Sequence, residues 1–219
     1  MAYRQTEAVS VRLANNRRRI LNAARELIAE AGFAGTPMSA VAARSGLATG
    51  TLYRYFASRQ ELFGQVFREV STREMKLLAA LAAREAPAAA RLADMIRTFA
   101  TRAVQGRRLA YALLAEPVDA GLAQERQIFR RTHAELFARV LADGMARGEI
   151  TPLNAQIAAA CIAGAIPTAL IGPLAPDAHE LDAGGCDVIE AIVGFCLQAV
   201  GLSGTMAAAD MAARDRMSA

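Results

Sequence analysis

The groups in this chain best placed to do chemistry are hydroxyls, a bare stretch of backbone and a cation, not a nucleophile beside its base. Thr49, Gly50 and Thr51 are consecutive. Threonine hydroxyls can meet the donors and acceptors of base edges, and glycine lets a partner approach the backbone closely. Arg59 follows in the first turn of a later helix, where free amides and a guanidinium could together hold one backbone phosphate. These groups need scaffolding that presents a short helix end-on. The stretch from Pro37 to Phe56 supplies it, reading as a helix, a glycine turn and a second helix in the order a DNA major groove requires.

Thr36 before Pro37 predicts a capped helix start with proline at the first helical position. Met38, Val41 and Ala42 then face inward, and Gly46 stops the helix where positive φ is needed. Leu47 plugs the corner. The second helix begins near Ala48, with Leu52 and Phe56 as its anchors. Ser58 and Glu61 form a capping box that opens a third helix through Leu62, Phe63, Val66, Phe67 and Val70. Upstream, Ile20, Leu21, Ala24, Leu27, Ile28 and Ala31 repeat at helical spacing and stop at Gly32.

Several spaced motifs agree with one another: R-x-x-I-L-x-A-A-x-x-L from Arg17 to Leu27, G-F-x-G-T from Gly32 to Thr36, and G-T-L-Y-R-Y-F-x-S-R-x-E-L-F from Gly50 to Phe63. Over residues 15–65 they strongly resemble the N-terminal domain of the TetR family of one-component regulators. The resemblance implies an all-α fold, in which a three-helix DNA-binding head precedes a larger helical body that binds a ligand and dimerises. It also implies phosphate contacts from Tyr53, Tyr55 and Arg59, so that the DNA-binding set becomes Ser39, Thr49, Gly50, Thr51, Tyr53, Tyr55 and Arg59. Two positions depart from the family pattern. Ala48 stands where Ser is usual, which removes the expected cap of the recognition helix and leaves Thr49 as the nearest hydroxyl to replace it. Arg59 stands where Lys is usual, which keeps the phosphate contact.

Charge is distributed to match. Residues 1–64 hold nine Arg against four Glu, a net of +5, while the remainder holds sixteen basic against seventeen acidic residues. A basic excess confined to the head is what counterion release on a polyanion requires. Enzymatic readings find little support. His133 and His179 are the only histidines and lie far apart, and no metal-ligand, nucleophile-elbow or phosphate-loop pattern occurs. No metal and no cofactor are expected. Cys161, Cys186 and Cys196 are odd in number and lie in apolar helices, which predicts reduced, buried thiols in a cytoplasm.

The domain reading places a flexible arm at 1–14, the head at 15–65 with its helix-turn-helix at 37–56, a body at 66–202 and a disordered tail at 203–219. Body helices are predicted across Val66 to Leu81, after Pro87, from Gly106 to Leu114, from Leu122 to Arg147, from Pro152 to Gly172 and from Val188 to Val200. The uncharged run from Ile150 to Pro176 raises a membrane span, but its prolines, its Asn154 and Gln156, and the lack of an aromatic belt favour a soluble chain. Within it, Ala160, Gly164, Thr168 and Gly172 make a shallow strip suited to close helix packing, and Pro167 is expected to kink the helix. The resemblance implies a four-helix homodimer interface from the last two long helices, with Val188, Ile189, Ile192, Val193, Phe195 and Leu197 as its apolar residues in the final one. In the long helix before them, Ile128, Phe129, Leu136, Phe137, Val140 and Leu141 form an apolar stripe that His133 interrupts. A histidine there serves either as a satisfied core residue or as a ligand contact. The candidate pocket set is Phe99, Tyr111, Phe129, His133, Phe137 and Thr168.

These readings converge on a DNA-binding repressor released from a palindromic operator by a small apolar effector of unknown identity. The alternative is a helical ligand-binding or scaffold protein with a vestigial head.

Overall fold

A computed structural model describes residues 7–178 and 185–202; His179 and the tail at 203–219 lie outside them. Among the described residues there are nine helices and no strand: α1 (Glu7–Ala31), α2 (Met38–Ser45), α3 (Thr49–Leu52), α4 (Arg59–Ala82), α5 (Ala88–Gln105), α6 (Arg107–Leu114), α7 (Ala120–Ala146), α8 (Ala155–Leu174) and α9 (Cys186–Ala199). The all-α expectation holds. The first helix is longer than expected, because no Gly or Pro interrupts the chain between Glu7 and Ala31; residues 7–14, read as part of an arm, are helical.

The chain divides into two compact units. One takes its residues from 1–71 and 106–126, the other from 72–105 and 127–219. This differs from a boundary at residue 65, since α6 and the start of α7 belong with the head. The head unit packs Ile20, Ala24 and Ile28 of α1 with Val41, Leu52, Phe56, Leu62 and Phe67. In it α6 lies against α1. Arg126 donates to the carbonyls of Leu113 (2.6 Å) and Ala112 (2.7 Å), satisfying the free C-terminal end of α6.

The body unit centres on α5, whose Leu92, Met95, Ile96 and Phe99 are buried and which packs against α8 and α9. Asn154 caps α8 by accepting from the Ile157 amide at 3.1 Å. The helix stays continuous through Pro167 and Pro173. By length and composition α8 could cross a membrane, with a mean hydropathy of 1.9. Of the α9 residues assigned to an interface, Ile189, Ile192, Val193 and Leu197 are instead buried within the unit, because α5 already covers that face. Phe195 points outward, 63% exposed. The buried-thiol expectation holds for Cys196 alone, whose thiol burial pushes up to about 11. Cys161 and Cys186 are exposed.

Candidate nucleic-acid interface

The turn between α2 and α3 has the geometry its sequence predicts. Gly46 adopts φ 66° and ψ 36°, and Leu47 N–H reaches back to the Ala42 carbonyl at 3.0 Å, closing a left-handed helix cap that satisfies orphan carbonyls. The start of α2 differs from expectation. Pro37 occupies the cap position itself, and the buried Thr36 hydroxyl donates at 2.7 Å to the Gly32 carbonyl instead of capping α2. Position explains this: Gly32 ends α1 in a left-handed turn and leaves its carbonyl an orphan within reach of the Thr36 hydroxyl.

At the N-terminus of α3, Ala48 is extended and offers no side-chain cap, and Thr49 does not replace it. Helix α3 is only four residues long, with Tyr55 and Phe56 amides continuing to the Leu52 carbonyl at 2.9 Å each. Ser39, Thr49 and Gly50 are exposed, Thr51 and Tyr55 are half-buried, and Tyr53 is 50% exposed. The Asn16 amide donates to the Tyr55 hydroxyl at 3.1 Å, which fixes the end of the recognition element to α1. A Cβ at Gly50 would meet nothing within 4 Å. No positive φ and no neighbour in the chain therefore require glycine there.

Arg59 is engaged inward. Its Nε donates to the Thr36 carbonyl at 3.1 Å and an Nη2 hydrogen goes to the Phe33 carbonyl, while the guanidinium lies 4.8 Å over the Phe63 ring. Five N–H donors leave capacity for a phosphate, but the side chain also clamps the turn between α1 and α2. Ser58 and Glu61 form the expected box with one shift: Glu61 N–H donates to Ser58 Oγ at 3.0 Å, and the Glu61 carboxylate accepts from Ala57 N–H, one residue before the cap. Elsewhere in the head, Arg19 donates to the Ser45 carbonyl at 2.7 Å, Arg44 pairs with Glu30 at 2.8 Å, and Arg17 stacks on Phe56. Arg12, Arg18 and Arg54 remain exposed.

The body candidates separate into two groups. Phe99, Phe129, His133 and Phe137 form one aromatic cluster, with His133 centred 5.0 Å from Phe99 and 4.9 Å from Phe137. His133 is 1% exposed, its Nε2 has no partner, and burial lowers its pKa to about 4. Tyr111 is not among these paired rings; it belongs to α6 of the head unit. Nor is Thr168: it lies on the outer face of α8, its hydroxyl turned onto the Gly164 carbonyl at 2.7 Å. Ile128 leaves the apolar stripe as well, its side chain being exposed.

Residues 20–66 match the family model described as bacterial regulatory proteins, tetR family. That stretch is a TetR-type DNA-binding domain. It is similar to the HTH-type transcriptional repressor Rv3405c of Mycobacterium tuberculosis, with 39% identity over 95 residues, 43% of this chain and 45% of that one. The chain thus matches a little under half the length of that relative. It is also similar to the HTH-type transcriptional regulator UidR of Escherichia coli, with 29% identity over 68% of this chain and 73% of the relative. In fold it resembles the transcriptional regulator FadR of Bacillus subtilis solved in complex with stearoyl-CoA, with a TM-score of 0.72 and 22% identity, covering 84% of this chain and 98% of that one.

In this TetR-family head, sequence reasoning missed Glu116 and Arg108. The buried Glu116 carboxylate accepts from Phe33 N–H at 2.7 Å and pairs with Arg108 at 3.0 Å, and Arg108 donates to the Ala31 carbonyl at 3.0 Å. Helix α6 is thereby bolted to the turn that follows α1. Eighty-three residues separate Glu116 from Phe33, so no local pattern announces the pair. The one available signal was a Glu at the end of a helix followed by Pro117.

Proposed function

We propose that the chain is a transcriptional repressor that binds a palindromic operator as a homodimer and leaves it when a small apolar molecule enters the body. The observation that carries this reading is the recognition element itself: a glycine-capped turn holding a short helix whose Thr49, Gly50 and Tyr53 face outward from a basic unit. One such helix reads few bases, so two copies about one duplex turn apart, ~34 Å, make a useful site. Dimerisation through α8 and α9 is supported by faces that are bare among the described residues. Ile157, Ala160, Gly164, Thr168 and Ile171 are exposed on α8, Phe195 on α9, and Gly164, Gly172 and Gly194 have open space where a Cβ would be. Such a face suits close packing of a second copy, and with it a cytoplasmic protein.

Effector coupling has two covalent routes. Helix α4 starts with Arg59 in the head and ends in the body, and α6, held to the end of α1 by Arg108, follows directly after the α5 that carries Phe99. A coupling of ~1 to 3 kcal/mol lowers operator affinity 5- to 150-fold.

Footprinting of the promoters nearest its gene, followed by titration of the footprinted duplex between 50 and 200 mM salt, tests the reading. Tyr53→Phe should weaken specific and nonspecific DNA alike, and Thr49→Val should change base preference. Arg59→Lys keeps a cation for phosphate but cannot clamp two carbonyls and a ring, so it should hold the salt slope while lowering head stability. Arg59→Ala should lower the slope by about one unit as well. A wild-type chain that protects no sequence over bulk DNA would make the head vestigial and the protein a ligand-binding scaffold.

A further inference from the structure

His133 of α7 is enclosed by Phe99 of α5 and by Phe129 and Phe137 of its own helix, at centroid distances of 5.0, 5.7 and 4.9 Å. Its Nε2 is buried without a hydrogen-bond partner. A buried polar atom left unmade costs stability, and three phenyl rings around it can supply only ring contacts. Phe129 is half-buried and marks the side of the cluster nearest solvent. Resting on the reading of the body as a sensor, we propose that this cluster is the effector subsite and that its ligand is a neutral aromatic alcohol of the phenol type.

The ring of such a ligand packs among Phe99, Phe129 and Phe137 in offset or edge-to-face geometry. Its hydroxyl meets His133 Nε2. A hydroxyl both donates and accepts, so it satisfies the imidazole in either tautomer, whereas a carbonyl serves only one. A carboxylate fares worse: the buried imidazole is neutral at physiological pH, so an anion would be desolvated with no cation to pair with.

The test uses the full chain with 4-propylphenol, propylbenzene and 4-propylbenzoate, titrated by calorimetry while the imidazole carbon signals of the two histidines are followed by NMR. The phenol should move the His133 signal and bind about tenfold more tightly than either analogue. In His133→Phe, which keeps ring packing and removes the polar atom, propylbenzene should still bind and the ratio should fall to about one. An unmoved His133 signal, or a preference that survives in His133→Phe, overturns the proposal; if that variant fails to fold, the wild-type NMR signal decides. Operator release is measured separately. Phenol bound at His133 without release upholds the subsite and sinks the effector reading. Release by a molecule of another class with His133 silent does the reverse.

Discussion

Thr36, Ser45 and Glu116 are buried in the head unit, and each is hydrogen-bonded: to the Gly32 carbonyl, to the Ala42 carbonyl, and to Phe33 N–H with Arg108. In the body unit, Glu74 and Arg91 are also bonded, to Arg102 and to the Ala82 carbonyl with Asp143, but their Oε1 and Nε atoms, like His133 Nε2, are buried without a hydrogen-bond partner. Buried polar groups are ordinarily satisfied, so the contrast separates two kinds of work. The head completes its hydrogen bonds internally and turns its remaining hydroxyls outward, which suits reading a rigid external lattice of bases. The body keeps hydrogen-bonding capacity inside, which suits completion by something that enters.

The largest effect expected concerns the head's closure. Gly32 has φ +71°, and a Cβ there would lie 2.1 Å from Glu116 Oε1, so Gly32→Ala must both strain the backbone and displace a buried carboxylate. Urea melts should show a loss of about 3 kcal/mol or more. A loss under ~1 kcal/mol would mean the head's network is looser than its geometry indicates.

The body should respond to pH through His133. His133 is held near 4 by burial, below its unfolded value of 6.5, so the unfolded chain binds more protons between those limits and stability falls as pH drops through them. Between pH 7 and pH 5 the loss should be about 2 kcal/mol, and His133→Phe should remove it. An unchanged pH dependence in that variant would move the effect elsewhere.

Smaller changes sharpen the contrast within the head. Ser58→Ala removes the acceptor for Glu61 N–H and should cost about 1 kcal/mol by thermal melting, since it uncaps α4. Gly50→Ala should have the opposite sign, stabilising by up to ~0.5 to 1 kcal/mol because α3 gains a better helix former in open space. The same variant should weaken operator binding. If it binds DNA as well as wild type, Gly50 is not where the backbone approaches the duplex.

What was legible in the sequence was local. The Gly46 turn, the Ser58–Glu61 box and the anchors Leu52 and Phe56 each depend on neighbours within a few residues, and each formed where its spacing said. Contacts across long separations were not legible. Thr36 had two orphan ends within reach and took the carbonyl of Gly32, while Arg59 found the Phe33 and Thr36 carbonyls. Apolar character alone also failed to sort faces. On α8 the exposed Ile157 and Ile171 are as hydrophobic as the buried Ile162 and Ile166, and on α9 Val193 turned toward α5 whereas Phe195 did not. Periodicity marks an apolar helix, but not which of two partners covers each side. The His133 cluster was half legible: the α7 stripe gave Phe129 and Phe137, but Thr168 was lost because helical phase on α8 could not be set from sequence.

Glu116 also bears on how interchangeable such heads are. A fragment ending near residue 65 carries every helix proposed to meet the operator, yet it leaves behind α6 and the Glu116 just after it, whose carboxylate holds the Phe33 amide while Arg108 of α6 holds the Ala31 carbonyl. The DNA-reading part of this chain is therefore not a cassette with one seam. Transplanting it onto another body means bringing residues 106–126 along, or finding in the recipient an acid that reaches the same turn.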